Sequence, residues 1–379
     1  MMRLRHFAAL SVAAISFTTL DAIAAIDPAA PVVLLRTSCN DGAGSTLNNC
    51  FTDPIALNDW MWLTRKPTDA APLSVEIGPG RYGQFACGDA VSKIAGNVSF
   101  RGAGMDQTTL ASITLTAQCA KATFQDMTVG GTGINYAVVV LNAGTKTTWT
   151  NVRLVGTPGI WQEYCAGTPA SALGQHYFFG SKLEGRIGGY YQVKCDESWF
   201  YGSEITTKDS LTNELTLFQV QGKELHVYGS VVRVLETGTY PVSGSRTLKA
   251  FAATGGSVHI HGTGIDIIST GTSPALITAL DASNGATIHA NASAFNLSTA
   301  AGGSVTRINT NNGSGHIHAP YLWEHIPNAV TMPGFTSQDG ADMTTVIASD
   351  GKPHMVVYSA TCPANARWYD QVDKVCRSQ

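Results

Sequence analysis

Tyr177-Phe-Phe-Gly180, Trp199-Phe-Tyr-Gly202, His226-Val-Tyr-Gly229 and His259-Ile-His-Gly262 are four versions of one short unit. Successive side chains on a strand point to opposite faces, so each unit reads as outward, inward, outward, followed by a small or turn-forming residue. Looser copies occur at Ala122-Thr-Phe-Gln-Asp126, Thr148-Trp-Thr-Asn151, Thr287-Ile-His-Ala290 and His316-Ile-His-Ala319. From Asn151 onward the closing residues are separated by 29, 22, 27, 33, 28 and 29 positions. A basic coil near 22 residues with outer loops of variable length gives this spacing, because each coil buries its apolar face only on its neighbours. A β-sandwich also alternates, but has no reason to repeat one triplet and its stop eight times. The repeat predicts an all-β fold, a single-stranded parallel β-helix.

Working outward, the solenoid is expected over residues 76–326 and an N-terminal cap over 25–75. Asp59-Trp-Met-Trp-Leu-Thr64 is the best helix candidate to cover the open end, where unpaired strand edges would otherwise invite other chains. From about Pro327 the repeat fades, and residues 327–379 read as a small disulfide-linked C-terminal appendage.

Residues 1–24 have the layout of a cleavable export signal: Arg3, Arg5 and His6, an apolar run from Phe7 to about Leu20, then Ala22-Ile23-Ala24 before Ala25. The run is shorter than the roughly 20 residues of a spanning helix, and no later stretch qualifies, so no membrane insertion is expected. The mature chain is expected to be secreted, periplasmic or extracellular. All eight cysteines lie beyond the signal, without a CxxC pair, which reads as disulfides before metal ligands. Cys362 with Cys376 closes a short terminal loop. Cys39 with Cys50, Cys87 with Cys119 and Cys165 with Cys195 are the neighbour pairings open to the rest. Losing the signal removes two cations and one anion and moves the net charge from −3 to −4, which leaves no electrostatic footprint for nucleic acid.

Val75-Glu-Ile-Gly-Pro-Gly-Arg-Tyr82 and Val98-Ser-Phe-Arg-Gly-Ala-Gly-Met-Asp-Gln-Thr-Thr-Leu110 resemble the opening coils of pectin methylesterases and their pectin-lyase-like relatives. Val152-Arg-Leu-Val-Gly-Thr-Pro-Gly-Ile-Trp161 and Gln175-His-Tyr-Phe-Phe-Gly-Ser-Lys-Leu-Glu-Gly-Arg-Ile-Gly-Gly-Tyr190 follow the order of that family's two active-site blocks. The resemblance spans roughly residues 75–205 and implies a right-handed solenoid and sugar-ester hydrolysis. The chemistry does not carry over. Where the family has a glutamine-aspartate pair, this chain has Pro158 and Gly159. Where it has the nucleophilic aspartate, three residues after Gly185, this chain has Gly188. The family's upstream glutamine falls near Tyr136, and its later arginine-proline-tryptophan signature has no counterpart. Such hydrolysis needs one carboxylate to attack and another to move protons, and glycine does neither.

Other reactions find no better support. Asp196-Glu197, Glu204 and Asp209 fall in one short stretch and read as surface charges rather than a glycosidase pair. No acid cluster suits a calcium-dependent lyase, and Ser243-Gly-Ser245 and Gly42-Ala-Gly-Ser45 are turns without a catalytic His and Asp.

The repeat displays a surface instead. Phe178, Phe200, Val227, Ile260, Ile288 and Ile317 should face the core. Stacking the coils about 4.8 Å apart sets Phe179, Tyr201, Tyr228, His261, His289 and His318 in one outward column. Tyr177, Trp199, His226, His259, Thr287 and His316 form the next. Rings presented flat are platforms for sugar faces, and histidines add pH-sensitive hydrogen bonds. The expected ligand is therefore a polysaccharide or a cell-surface glycan. His259 with His261 and His316 with His318 form i, i+2 pairs, but no acid is placed beside them, so no metal and no cofactor is assigned. The function expected is a non-catalytic secreted binder or surface adhesin. An ester hydrolase with a relocated site and a structural spike or scaffold are the alternatives.

Overall fold

The computed structural model describes residues 26–40, 47–88, 96–116, 119–141, 144–165, 174–240, 244–271, 273–300, 302–318 and 321–325. Beyond these it describes the short segments 335–336, 342–347, 353–358, 362–363, 368–370 and 375–377. The expected export segment lies outside the described residues.

The chain is a right-handed parallel β-helix. Each coil contributes a strand to each of three faces. The coil at 175–193 supplies Gln175–Phe179, Lys182–Arg186 and Tyr190–Val193, and each pairs in parallel with its counterpart one coil on. We refer to these as the triplet face, the middle face and the third face. The third face is a continuous sheet of nine strands from Phe85–Cys87 to Ser304–Asn311.

The corner between triplet and middle faces explains the repeated stop signal. Asp126, Asn151, Gly180, Gly202, Gly229, Gly262 and Ala292 all take left-handed backbone there, with φ from 48° to 56°. Glycine, asparagine and aspartate reach this region at least cost. The next residue points inward: Met127 and Val152 at the first two corners, then Ser181, Ser203, Ser230, Thr263 and Ser293, each buried. Ser181 Oγ and Thr263 Oγ1 donate to the carbonyls of Trp149 and Val227 on the preceding coil, at 3.2 Å each, so the corner satisfies its own backbone groups.

Inside, the inward residues stack coil on coil. Phe100, Phe124, Trp149, Phe178 and Phe200 form a continuous ring column with neighbouring centroids 4.1–5.9 Å apart and planes within 16°. Each is fully buried, contributing about 1.5–3 kcal/mol of burial. Val227 and Ile260 continue the column. The next member is Ala290, paired with Ile260 and Ile317, and not Ile288, which is buried one pleat earlier against Val258.

At the N-terminal end, Asp53 caps a helix over Pro54–Asp59 by accepting the Ile55 N–H at 3.0 Å. A π-helical turn, Trp60–Arg65, continues it. The helical segment thus begins before the expected Asp59–Thr64, because the aspartate cap and Pro54 start it there. Leu57, Met61 and Trp62 bury its inner face. At the other end the strand Tyr321–His325 is the last described strand in parallel pairing with the coils, and Phe335–Thr336 to Val375–Arg377 form a separate antiparallel sheet. Disulfides join Cys39–Cys50, Cys87–Cys119, Cys165–Cys195 and Cys362–Cys376. No helix among the described residues is long and apolar enough to cross a membrane.

Candidate functional site

The triplet face brings the expected surface residues into two in-register columns. The first runs Tyr177, Trp199, His226, His259, His289, His316. The second runs Phe179, Tyr201, Tyr228, His261, Asn291, His318. This corrects the sequence-based order at one coil: His289 stacks under His259 rather than under His261, and Thr287 pairs with Ser257. A slip of two residues keeps every side chain on its face, so alternation cannot detect it. The stop residue decides it. Ala292, at φ 48°, is the left-handed corner of this coil, whereas the expected stop, Ala290, is buried in the core.

The ring orientation is also different from the expected flat platform. In the first column Tyr177–Trp199, Trp199–His226, His226–His259 and His259–His289 have centroids 4.9, 5.0, 4.7 and 5.6 Å apart and planes within 18°. In the second, Phe179–Tyr201, Tyr201–Tyr228 and Tyr228–His261 are 5.1, 5.3 and 5.2 Å apart and within 11°. Parallel rings this close lie face over face, because coplanar rings side by side would overlap. The faces therefore cover one another and the ring edges are turned outward, with Phe179 the exposed end of the second column. The run begins at Tyr177 and Phe179, which are in register with Thr148 and Thr150 of the coil before.

Hydrogen bonds within the face set some of these edges. Tyr177 Oη donates to Gln175 Oε1 at 3.3 Å. His226 Nδ1 meets Tyr228 Oη at 3.1 Å and His226 Nε2 meets Glu224 Oε2 at 3.1 Å. Burial, and then the neighbouring phenol and carboxylate groups, push the Tyr177 and Tyr228 hydroxyls up, so both stay protonated donors. Burial and the adjacent His226 hold His259 below the ordinary histidine range.

Of the two glycines that the sequence resemblance set at acid positions, Gly159 is closed by a neighbouring ring and Gly188 is constrained by its backbone. A Cβ on Gly159 would fall within the Tyr136 ring, and Tyr136 Oη lies 3.2 Å from Tyr190 Oη, which donates to Gln162. Gly188 is left-handed at φ 77°, and a Cβ there would sit 3.3 Å from Ser210 Oγ. Tyrosine rings and amide groups occupy this part of the third face.

Asp196 and Asp209 are buried, not surface charges as their sequence context suggested. Asp196 Oδ1 accepts the Gly144 and Gly174 N–H groups at 2.9 Å each, and Oδ2 lies 3.2 Å from His176 Nε2. His176 Nδ1 is 2.8 Å from Thr147 Oγ1. Glu163 is also fully buried. Its Oε2 accepts the N–H groups of Lys194, Cys195 and Asp196, and its Oε1 that of the Trp161 indole. This network was missed at the sequence level, although His176 and Glu163 occupy inward positions of their strands. It is satisfied by protein groups throughout and ties three coils together beside the Cys165–Cys195 bond, a structural role.

Two further charged groups lie on the surface. On the middle face, a groove of about 400 Å³ is lined by Lys182, Glu184, Arg186, Glu204, Lys208 and Arg233. Glu184 is paired with Arg153, while Glu204 and Asp266 share Arg233. On the third face, Glu214 and Asp281 both reach Lys249 Nζ, at 3.4 and 3.0 Å. The single ammonium offsets one of the two carboxylate charges, and although burial lowers the lysine, the pair raises it above its ordinary range.

No family model and no curated protein sequence matches the chain. Among solved structures, the A-module of the mannuronan C-5 epimerase AlgE6 from Azotobacter vinelandii matches over 71% of this chain and 93% of its own, at 13% identity and a TM-score of 0.24. At that level of likeness nothing about activity passes from the module to this chain.

Proposed function

We propose that the protein is a non-catalytic relative of the pectin-lyase-like solenoids, exported through its first 24 residues, that binds an extended polysaccharide or a cell-surface glycan along the triplet face. The observation that carries this reading is the pair of in-register ring columns, whose edges present hydroxyl, indole and imidazole groups at the coil repeat. A linear polymer of hydroxylated rings offers a complementary row of donors and acceptors. Recognition would then run through hydrogen bonds to ring edges, with apolar contact confined to the partly exposed ring rims. The closed position at Gly159 and the left-handed backbone at Gly188 support the non-catalytic part. The test is retention on a panel of immobilised glycans, comparing the full chain with the Trp199→Ala, Tyr201→Ala double variant. Loss of retention is expected, and equal retention by the two would remove the proposal.

A rival reading as an ester hydrolase with a relocated site is favoured by one feature, the convergence of Glu214 and Asp281 on Lys249. It requires methanol release from methylated pectin that disappears in Asp281→Asn. The non-catalytic reading expects no release from either form.

A further inference from the structure

The strongest unassigned cluster joins three side chains from two adjacent coils. Glu224 and His226 lie on the strand Glu224–Tyr228, and His259 on the strand Ser257–His261 directly beneath. One ligand atom from each of Glu224, His226 and His259 lies within 4.8 Å of the others. The expectation that no acid accompanies these histidines was wrong because Glu224 stands two residues before His226, on the same face, and lies 35 positions from His259 along the chain.

We propose that Glu224, His226 and His259 form a surface site for a divalent transition metal of the zinc class. Two imidazoles and one carboxylate suit zinc, nickel or copper, whereas calcium and magnesium prefer oxygen donors alone. Tyr228 lies behind the His226 ring, on the side away from Glu224. With its Nδ1 proton directed to Tyr228 Oη, His226 offers the Nε2 lone pair toward Glu224, the arrangement in which an outer hydrogen bond orients a ligating histidine. A proton on Nε2 makes the 3.1 Å contact to Glu224 a hydrogen bond. In that tautomer the proton moves to Nδ1 as the ion takes its place on Nε2, and acid weakens binding by protonating the ligand atoms. His259 stacks on the His226 ring at 4.7 Å between centroids and has the His289 ring on its other side at 5.6 Å. The remaining positions of the ion face solvent.

This goes beyond glycan binding, and its test contains no glycan, so the two can fail separately. Zinc chloride is titrated calorimetrically into the full chain at about pH 7.5 and again at about pH 5.5. Binding is expected at the higher pH and lost at the lower. Glu224→Gln and His259→Gln should each weaken it by about tenfold or more, and Tyr228→Phe by about tenfold through the outer hydrogen bond. Copper(II) bound to the unaltered chain should show nitrogen coupling from two imidazoles by electron paramagnetic resonance, a readout that needs no variant. Absence of zinc binding, equal affinity in Glu224→Gln and His259→Gln, or a copper signal with oxygen ligands only would overturn the proposal.

Discussion

The Trp199 indole and the His226 imidazole lie face to face on adjacent coils, 5.0 Å between centroids and 4° from parallel. This stack couples two residues 27 positions apart, and it turns the outward ribbon into an element of stability as well as a surface. Aromatic pairs in this geometry contribute about 0.5–1.5 kcal/mol beyond the area they bury.

That coupling is measurable. A double-mutant cycle of Trp199→Ala and His226→Ala, read by urea unfolding, should give an interaction energy of about 0.5–1.5 kcal/mol. Additive effects would mean that the rings merely sit side by side.

Acid should loosen the ribbon. His259 has a folded-state pKa below its unfolded value, so its contribution is present above the ordinary histidine range and is lost as pH falls through the folded value. The melting temperature of the unaltered chain should drop between about pH 7.5 and about pH 5, and His259→Gln should shrink that drop. An identical drop in both proteins would count against burial of the imidazole.

The buried acid network should tolerate little. Asp196→Ala leaves His176 and the Gly144 and Gly174 N–H groups without their shared partner. Removing one member of a buried charged set costs about 3–5 kcal/mol, which denaturant titration would register. A loss under about 1 kcal/mol would place these groups in contact with water.

Placing an acid at Gly159 should fail for a steric reason. Gly159→Asp drives its Cβ into the Tyr136 ring, an overpacking cost of about 1–3 kcal/mol. Adding Tyr136→Ala should recover most of that loss, because it removes the ring in the way. If the single variant is as stable as the unaltered chain, the ring does not close the site.

Much of the fold was legible because it is written locally. The triplet and its stop follow from strand alternation and from the cost of left-handed backbone. The register at Thr287–Ala292 was not, because the coil stops on Ala292 instead of glycine and a two-residue slip preserves every face. Nor was the burial of Asp196, whose partners Gly144, Gly174 and His176 come from other coils.

The sequence by itself determined a parallel solenoid, which side chains face outward, and the absence of acids at Gly159 and Gly188. Alternation and turn chemistry depend only on near neighbours, so they survive without coordinates. Tertiary structure decided that the rings turn their faces to one another, that Tyr136 seals Gly159, and that Glu224 meets His259. Those contacts join coils separated by loops of unequal length, and no local pattern records which residues such loops bring together.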